Sequence, residues 1–176
     1  MSEAETSDEL RVVVDAQIVL AMFLVRRDRP EVRSSKRQLL GLLTNSRFRW
    51  LWSPDILADY ERGAQAIETN ERIAKRAAFD RAGFELLFAT LQLAPPITIS
   101  AATMRGARRR LSQATRAAER DLDDAVYLAC AVDGQAHLII SEDSDLRLLG
   151  NEYEGILIIG WIELRDALLQ AGLLSK

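Results

Sequence analysis

The sequence predicts an α/β domain, a three-layer α/β/α sandwich around a central, mostly parallel sheet of five strands. Three observations carry that prediction. Short aliphatic runs alternate with stretches of helical periodicity along the chain. The runs are continuously apolar, as strands buried on both faces are, and do not alternate apolar with polar. The chain has 176 residues, enough for one domain that buries about 70% of its unfolded surface. Residues 1–10 read as a disordered tail, and residues 11–176 as a single domain.

Arg11-Val12-Val13-Val14 is the first strand, ended by Asp15, and Ile18, Val19, Met22 and Phe23 then recur at helical spacing. Residues 31–44 read as a second helix with Leu39, Leu40 and Leu43 on one face. Phe48–Trp52 reads as the second strand, and Ser53-Pro54 as a helix start, with Ser as cap and Pro in the first turn. One or two helices are expected over 71–92, stopped by Pro95-Pro96. Ile97-Thr98-Ile99 reads as the third strand, residues 102–118 as helical or mobile, and Asp121 as the cap of a helix running to about Val132. His137–Ser141 and Ile156–Ile159 read as the remaining strands, separated by a short helix over 143–149 and followed by a closing helix over 161–171. Ligands in such folds sit at the carboxyl ends of the strands, near the switch in strand order.

Composition narrows the chemistry. The single Cys130 excludes a disulfide framework and a cysteine-based zinc site, and the single His137 argues against a histidine-rich metal site or a Ser-His-Asp triad. No apolar run reaches the ~18 residues of a membrane span. The acidic start (Glu3, Glu5, Asp8, Glu9) has the wrong sign for a signal peptide, so a cytoplasmic protein is expected. Any catalysis must rest on carboxylates, arginines and a metal, with no organic cofactor.

The net charge of −3 conceals a strong segregation. Lys36, Lys75 and Lys176 are the only lysines among 23 basic residues. Arg105, Arg108, Arg109, Arg110 and Arg116 lie close together, and their guanidinium forks suit phosphate oxygens. Solvated helix faces account for such a run equally well. Residues 121–145 then carry Asp121, Asp123, Asp124, Asp133, Glu142, Asp143 and Asp145 with no Lys or Arg.

Acids far apart in sequence fall at one rim of the predicted sheet. Asp15 follows the first strand, and Asp143 and Asp145 follow the fourth. Asp124 shares a helix face with Leu128, and Glu61 lies four residues past Leu57, beside its helix's buried stripe. Acids at helix starts often serve only as caps. Asp15 is different, because a carboxylate directly after a buried strand is costly unless it is paired. Carboxylates gathered in one cleft require a counter-charge, and all-oxygen ligands select Mg²⁺ or Mn²⁺ over zinc.

These motifs resemble those of the PIN domain family, metal-dependent ribonucleases that include many bacterial toxins of toxin–antitoxin pairs. The family's strand and Asp-Thr-Asn correspond to Val12-Val13-Val14-Asp15-Ala16-Gln17, and its Ser-Pro helix to Ser53–Glu61. Asp-x-Asp-Asp corresponds to Asp121-Leu122-Asp123-Asp124, and Ser-x-Asp-x-Asp-Leu to Ser141–Leu146. The resemblance implies a catalytic quartet of Asp15, Glu61, Asp124 and Asp143, with Mg²⁺ or Mn²⁺ held by Asp15, Asp124 and Asp143. It makes Asp145, Asp121, Ser141 and Gln17 auxiliary, the last a longer amide where the family has Asn. It implies cleavage of single-stranded RNA, an antitoxin partner and a homodimer, and on that reading the basic stretch with Arg105, Arg108, Arg109, Arg110 and Arg116 is expected to attract the RNA backbone. Residues 71–120 are expected as a mobile flap lining the RNA path. An RNA- or protein-binding module with weakened catalysis is the alternative. A receiver-type domain is disfavoured, because no lysine follows the last strand except Lys176. A nucleotide triphosphatase lacks its glycine-rich loop here.

Overall fold

The computed structural model describes residues 9–116, 123–170, 172 and 174. In chain order these form β1 (Leu10–Val14), α1 (Ala16–Phe23), β2 (Leu24–Arg26), a 3-10 helix (Ser35–Leu42), β3 (Phe48–Leu51), α2 (Pro54–Thr69), α3 (Glu71–Ala74) and β4 (Ala77–Phe79). There follow α4 (Arg81–Leu91), α5 (Ala101–Thr115), α6 (Ala125–Asp133), β5 (Leu138–Ile140), α7 (Ser144–Arg147), β6 (Glu152–Tyr153), β7 (Ile156–Ile159) and α8 (Trp161–Gln170).

The main sheet has five strands in the order β3-β1-β5-β7-β6. β1 pairs in parallel with β3 and β5, β5 pairs in parallel with β7, and only β6 runs antiparallel. Val12, Val13, Val14, Ile139 and Ile140 are fully buried, so helices cover both faces of the sheet. Full burial of aliphatic side chains like these stabilises by about 1.5–3 kcal/mol each. Tyr60 of α2 is also buried, and its hydroxyl donates to the Val14 carbonyl, locking α2 against the end of β1. A second apolar layer joins Phe23, Phe79, Phe84 and Phe88 in edge-to-face and tilted contacts. Among the described residues, no helix is long and apolar enough to cross a membrane.

The structure corrects several expected elements. The fifth strand of the sheet is Glu152–Tyr153, not Ile97–Ile99. Pro95 and Pro96 carry no N–H, and although Ile97 donates to the Trp52 carbonyl at 2.8 Å, no ladder forms. The helix expected over 31–44 is a 3-10 helix of Ser35–Leu42 that buries Leu39 and Leu42. The stretch 71–92 contains a strand, β4, which pairs antiparallel with the short β2 directly after α1. Nor is the described part of 71–120 a flap. α5 packs on α6 and buries Ala107 and Leu111 completely. The cap expected at Asp121 lies outside the described residues, and α6 begins at Ala125.

Candidate metal centre

Chain order places the site. In the main sheet the chain goes on from β1 to β3 on one side and from β5 to β6 and β7 on the other, so the connections leave the carboxyl ends of the neighbouring β1 and β5 in opposite directions and open a crevice there. Asp15 and Ser141 are the next residues after the paired ends Val14 and Ile140. The Asp15 amide donates to the Ile140 carbonyl at 2.9 Å, which fixes its backbone at the crevice floor.

Asp15 is 3% exposed and its carboxylate is fully engaged. Ser141 Oγ donates to Oδ2 at 2.5 Å, and the Gln17 amide donates to Oδ1 at 3.1 Å, which also caps α1. Ser141 Oγ in turn accepts from the Asp143 amide at 2.9 Å. Asp143 accepts from the Asp145 amide at 2.7 Å and, on its other oxygen, from Gln17 Nε2 at 2.8 Å. The long amide in place of the family's Asn thus reaches across to orient an acid of the opposite loop.

Above this floor, Asp124, Asp143 and Asp145 each offer a carboxylate oxygen, and these oxygens lie within 4.8 Å of one another. Asp124 stands at the start of α6 yet makes no capping hydrogen bond there, so capping does not explain it. Pairs of carboxylates at ~4 Å repel by about 4 kcal/mol at an effective dielectric near 20. Burial first, then the charges of Asp143 and Asp15, push the Asp124 carboxyl up to about 7. Burial likewise lifts Asp15 to about 6, against the pull of its Ser141 and Gln17 hydrogen bonds, with the charges of Asp143 and Asp59 adding to the rise. Asp124 therefore feels the charge of Asp15 across one rim.

The acid that α2 contributes to this field is Asp59, not Glu61. Glu61 is held by Arg81 at 2.9 Å, in a network that also ties Arg81 to Glu68 and stacks it over Phe79 and Phe84. Asp59 is half-buried and accepts a short hydrogen bond from the Tyr127 hydroxyl, which itself accepts from the Ala16 amide at 3.3 Å. Arg62 grips its other oxygen at 2.8 Å. Both acids flank the buried Tyr60, and the phase of the helix decides between them. The available sequence signal was that Asp59 precedes Tyr60, the residue that docks on the strand ending at Asp15. Asp121 lies outside the described residues.

The arginine run does not act as one strip. A turn of about 100° per residue spreads it around α5. Arg108 lines a cleft shared with α2 and α6, while the charge of Arg110 reaches Tyr153 on the far side. Arg105, Arg109 and Arg116 are exposed.

The donor set fits a hard divalent cation: three carboxylates around one point, an additional buried carboxylate behind them, and no nitrogen or sulfur ligand among them. Fold and site together define a class, an α/β domain that gathers carboxylates at the switch point of its sheet. A PIN domain profile matches residues 11–145. The chain belongs to the PIN domain family. Among solved structures it is similar to a chain of VapBC2 from Rickettsia felis, determined bound to a DNA fragment from its promoter. The TM-score is 0.53 at 14% identity, covering 86% of this chain and 99% of that one, a likeness of fold. No curated protein matches the chain.

Proposed function

We propose that this protein is a metal-dependent endoribonuclease that hydrolyses phosphodiester bonds of single-stranded RNA. The observation that carries the reading is the convergence of Asp124, Asp143 and Asp145 within 4.8 Å at the carboxyl edge of the sheet. These three residues would hold Mg²⁺ or Mn²⁺, with Asp15 behind them. A divalent cation bound there supplies Lewis acidity, making water acidic and offsetting charge on the phosphoryl oxygens.

The protein's own groups do the rest. Ser141 and Gln17 hold Asp15 and Asp143 in fixed orientation. Tyr127 and Arg62 hold Asp59 at the rim, where a carboxylate can accept the proton of an attacking water. Arginines of α5 attract the RNA backbone without regard to sequence. The Gln17–Asp143 hydrogen bond favours an active enzyme over a weakened binding module, because the departure from the family's Asn is repaired by the reach of the longer side chain.

The deciding experiment is cleavage of a single-stranded RNA with Mn²⁺ or Mg²⁺. Activity is expected from the native chain and lost in Asp124→Asn and Asp15→Asn. Cleavage that persists in both variants refutes the reading. The toxin role rests on the resemblance and on the fold shared with a VapBC2 chain. It predicts growth arrest on expression, relieved by co-expression of a cognate antitoxin. The homodimer is checked by sedimentation.

A further inference from the structure

Beside the acid cluster lies a cleft of about 250 Å³ between α2, α5 and the start of α6. Ala58, Met104 and Val126 give it an apolar floor, and Arg62 and Arg108 stand around it with the acids Asp55 and Asp123. It adjoins the site on two sides, since Asp123 precedes Asp124 and Arg62 is the partner of Asp59. Arg108 is exposed, and no ion pair of Arg108 is found among the described residues. The Arg62 side chain is 62% exposed, so its guanidinium can bind Asp59 and still face the cleft.

We infer that this cleft is a nucleotide subsite of the RNA strand, immediately next to the phosphate at the acid cluster. The inference rests on the nuclease reading above. Arg62 and Arg108 take the phosphate oxygens of the neighbouring linkage, the pairing for which guanidinium forks are suited. Met104 and Val126 give the base or ribose an apolar surface, as single strands with unstacked bases require. Asp123 faces this pocket as an acceptor for the 2′-hydroxyl or an exocyclic amine. The acid lining disfavours a free polyphosphate, and a nucleotide within a chain brings only one charge per linkage.

The test uses full-length Asp124→Asn protein, which binds without turnover, and a short fluorescein-labelled single-stranded RNA followed by anisotropy across a salt series. Arg108→Ala should weaken binding about fivefold at low salt and lower the slope of log affinity against log salt by ~0.7. With Arg62→Ala added, the slope should fall by ~1.4. Met104→Ala should weaken binding and leave the slope where it is. Arg165→Ala on α8, which removes the same charge elsewhere, should change neither. A double arginine variant with unchanged affinity and slope overturns the subsite alone. If the Asp124→Asn parent binds no RNA at any salt, the nuclease reading fails and the subsite goes with it.

Discussion

Ser141 Oγ donates to Asp15 Oδ2 at 2.5 Å and accepts from the Asp143 amide at 2.9 Å. One hydroxyl thereby joins the buried acid after β1 to the acid loop after β5. It is fully buried, so nothing from solvent replaces it when it is lost. Ser141→Ala leaves a buried carboxylate short of a donor, a loss of about 1–3 kcal/mol. The hydrogen bond favours ionised Asp15, so the loss should be larger at pH 8 than at pH 5. Thermal unfolding at the two pH values checks this, and an equal shift at both contradicts it.

The acid cluster makes the metal-free protein pH-sensitive. Asp15 sits at about 6 and Asp124 at about 7, against 3.8 for an ordinary aspartate. Raised carboxyls favour the protonated form, so the folded chain binds more protons than the unfolded one between these limits. Stability is fully present below about pH 4 as far as these groups are concerned, and is lost as pH rises through 6 to 7. Asp15 alone accounts for roughly 3 kcal/mol of that fall. Denaturant midpoints should drop from pH 5 to pH 8 without metal, and Asp15→Asn should flatten the profile. Added Mg²⁺ should restore more at pH 8 than at pH 5.

Two acids of α2 should separate cleanly. Asp59→Asn lowers the charge facing Asp15 and Asp124 and weakens the Tyr127 and Arg62 contacts, so RNA cleavage should drop at least about tenfold. Glu61→Gln breaks a partly exposed pair with Arg81 and should cost about 1 kcal/mol or less, with cleavage retained. Kinetics and thermal unfolding on the same two proteins decide. Loss of cleavage in Glu61→Gln alone reverses the assignment.

Gln17 is exposed and orients Asp143 through one hydrogen bond. Gln17→Ala should therefore weaken Mn²⁺ binding by about tenfold, the low end for a partner of a ligand, and leave the unfolding temperature unchanged. Calorimetric titration with Mn²⁺ measures the first. An unchanged affinity removes Gln17 from the site.

The strands legible in the sequence are those whose burial leaves no choice. Val12-Val13-Val14 and Leu138-Ile139-Ile140 are buried along their whole length, and Ile156–Ile159 buries Ile156 and Ile158 while leaving Leu157 exposed. β2 and β4 were hidden because each is only three residues long and continues a helical pattern. Leu24-Val25 runs on from α1 without Gly or Pro, and Ala77-Ala78 follows residues with good helix propensity. Pairing between the two overrides that propensity. Ile97-Thr98-Ile99 misled in the other direction, since β-branched residues after two prolines have the composition of a strand but no partner in the sheet. The nearness of Asp15, Asp124 and Asp143 could be read from the sequence because strand ends and helix starts point one way. That of Asp59 could not, because Asp59 and Glu61 differ only in helix phase, and side chains on α4 and α6 settle which one faces the cluster.

The central claim is that Asp124 at the start of α6 and Asp143 and Asp145 after β5 share one divalent cation, with Asp15 behind them. A crystal soaked in Mn²⁺ and measured for anomalous scattering tests it directly. The account predicts a single strong peak between the carboxylates of Asp124, Asp143 and Asp145, absent from an Asp124→Asn crystal treated alike. A peak elsewhere, or no peak at a concentration that saturates other carboxylate sites, contradicts it.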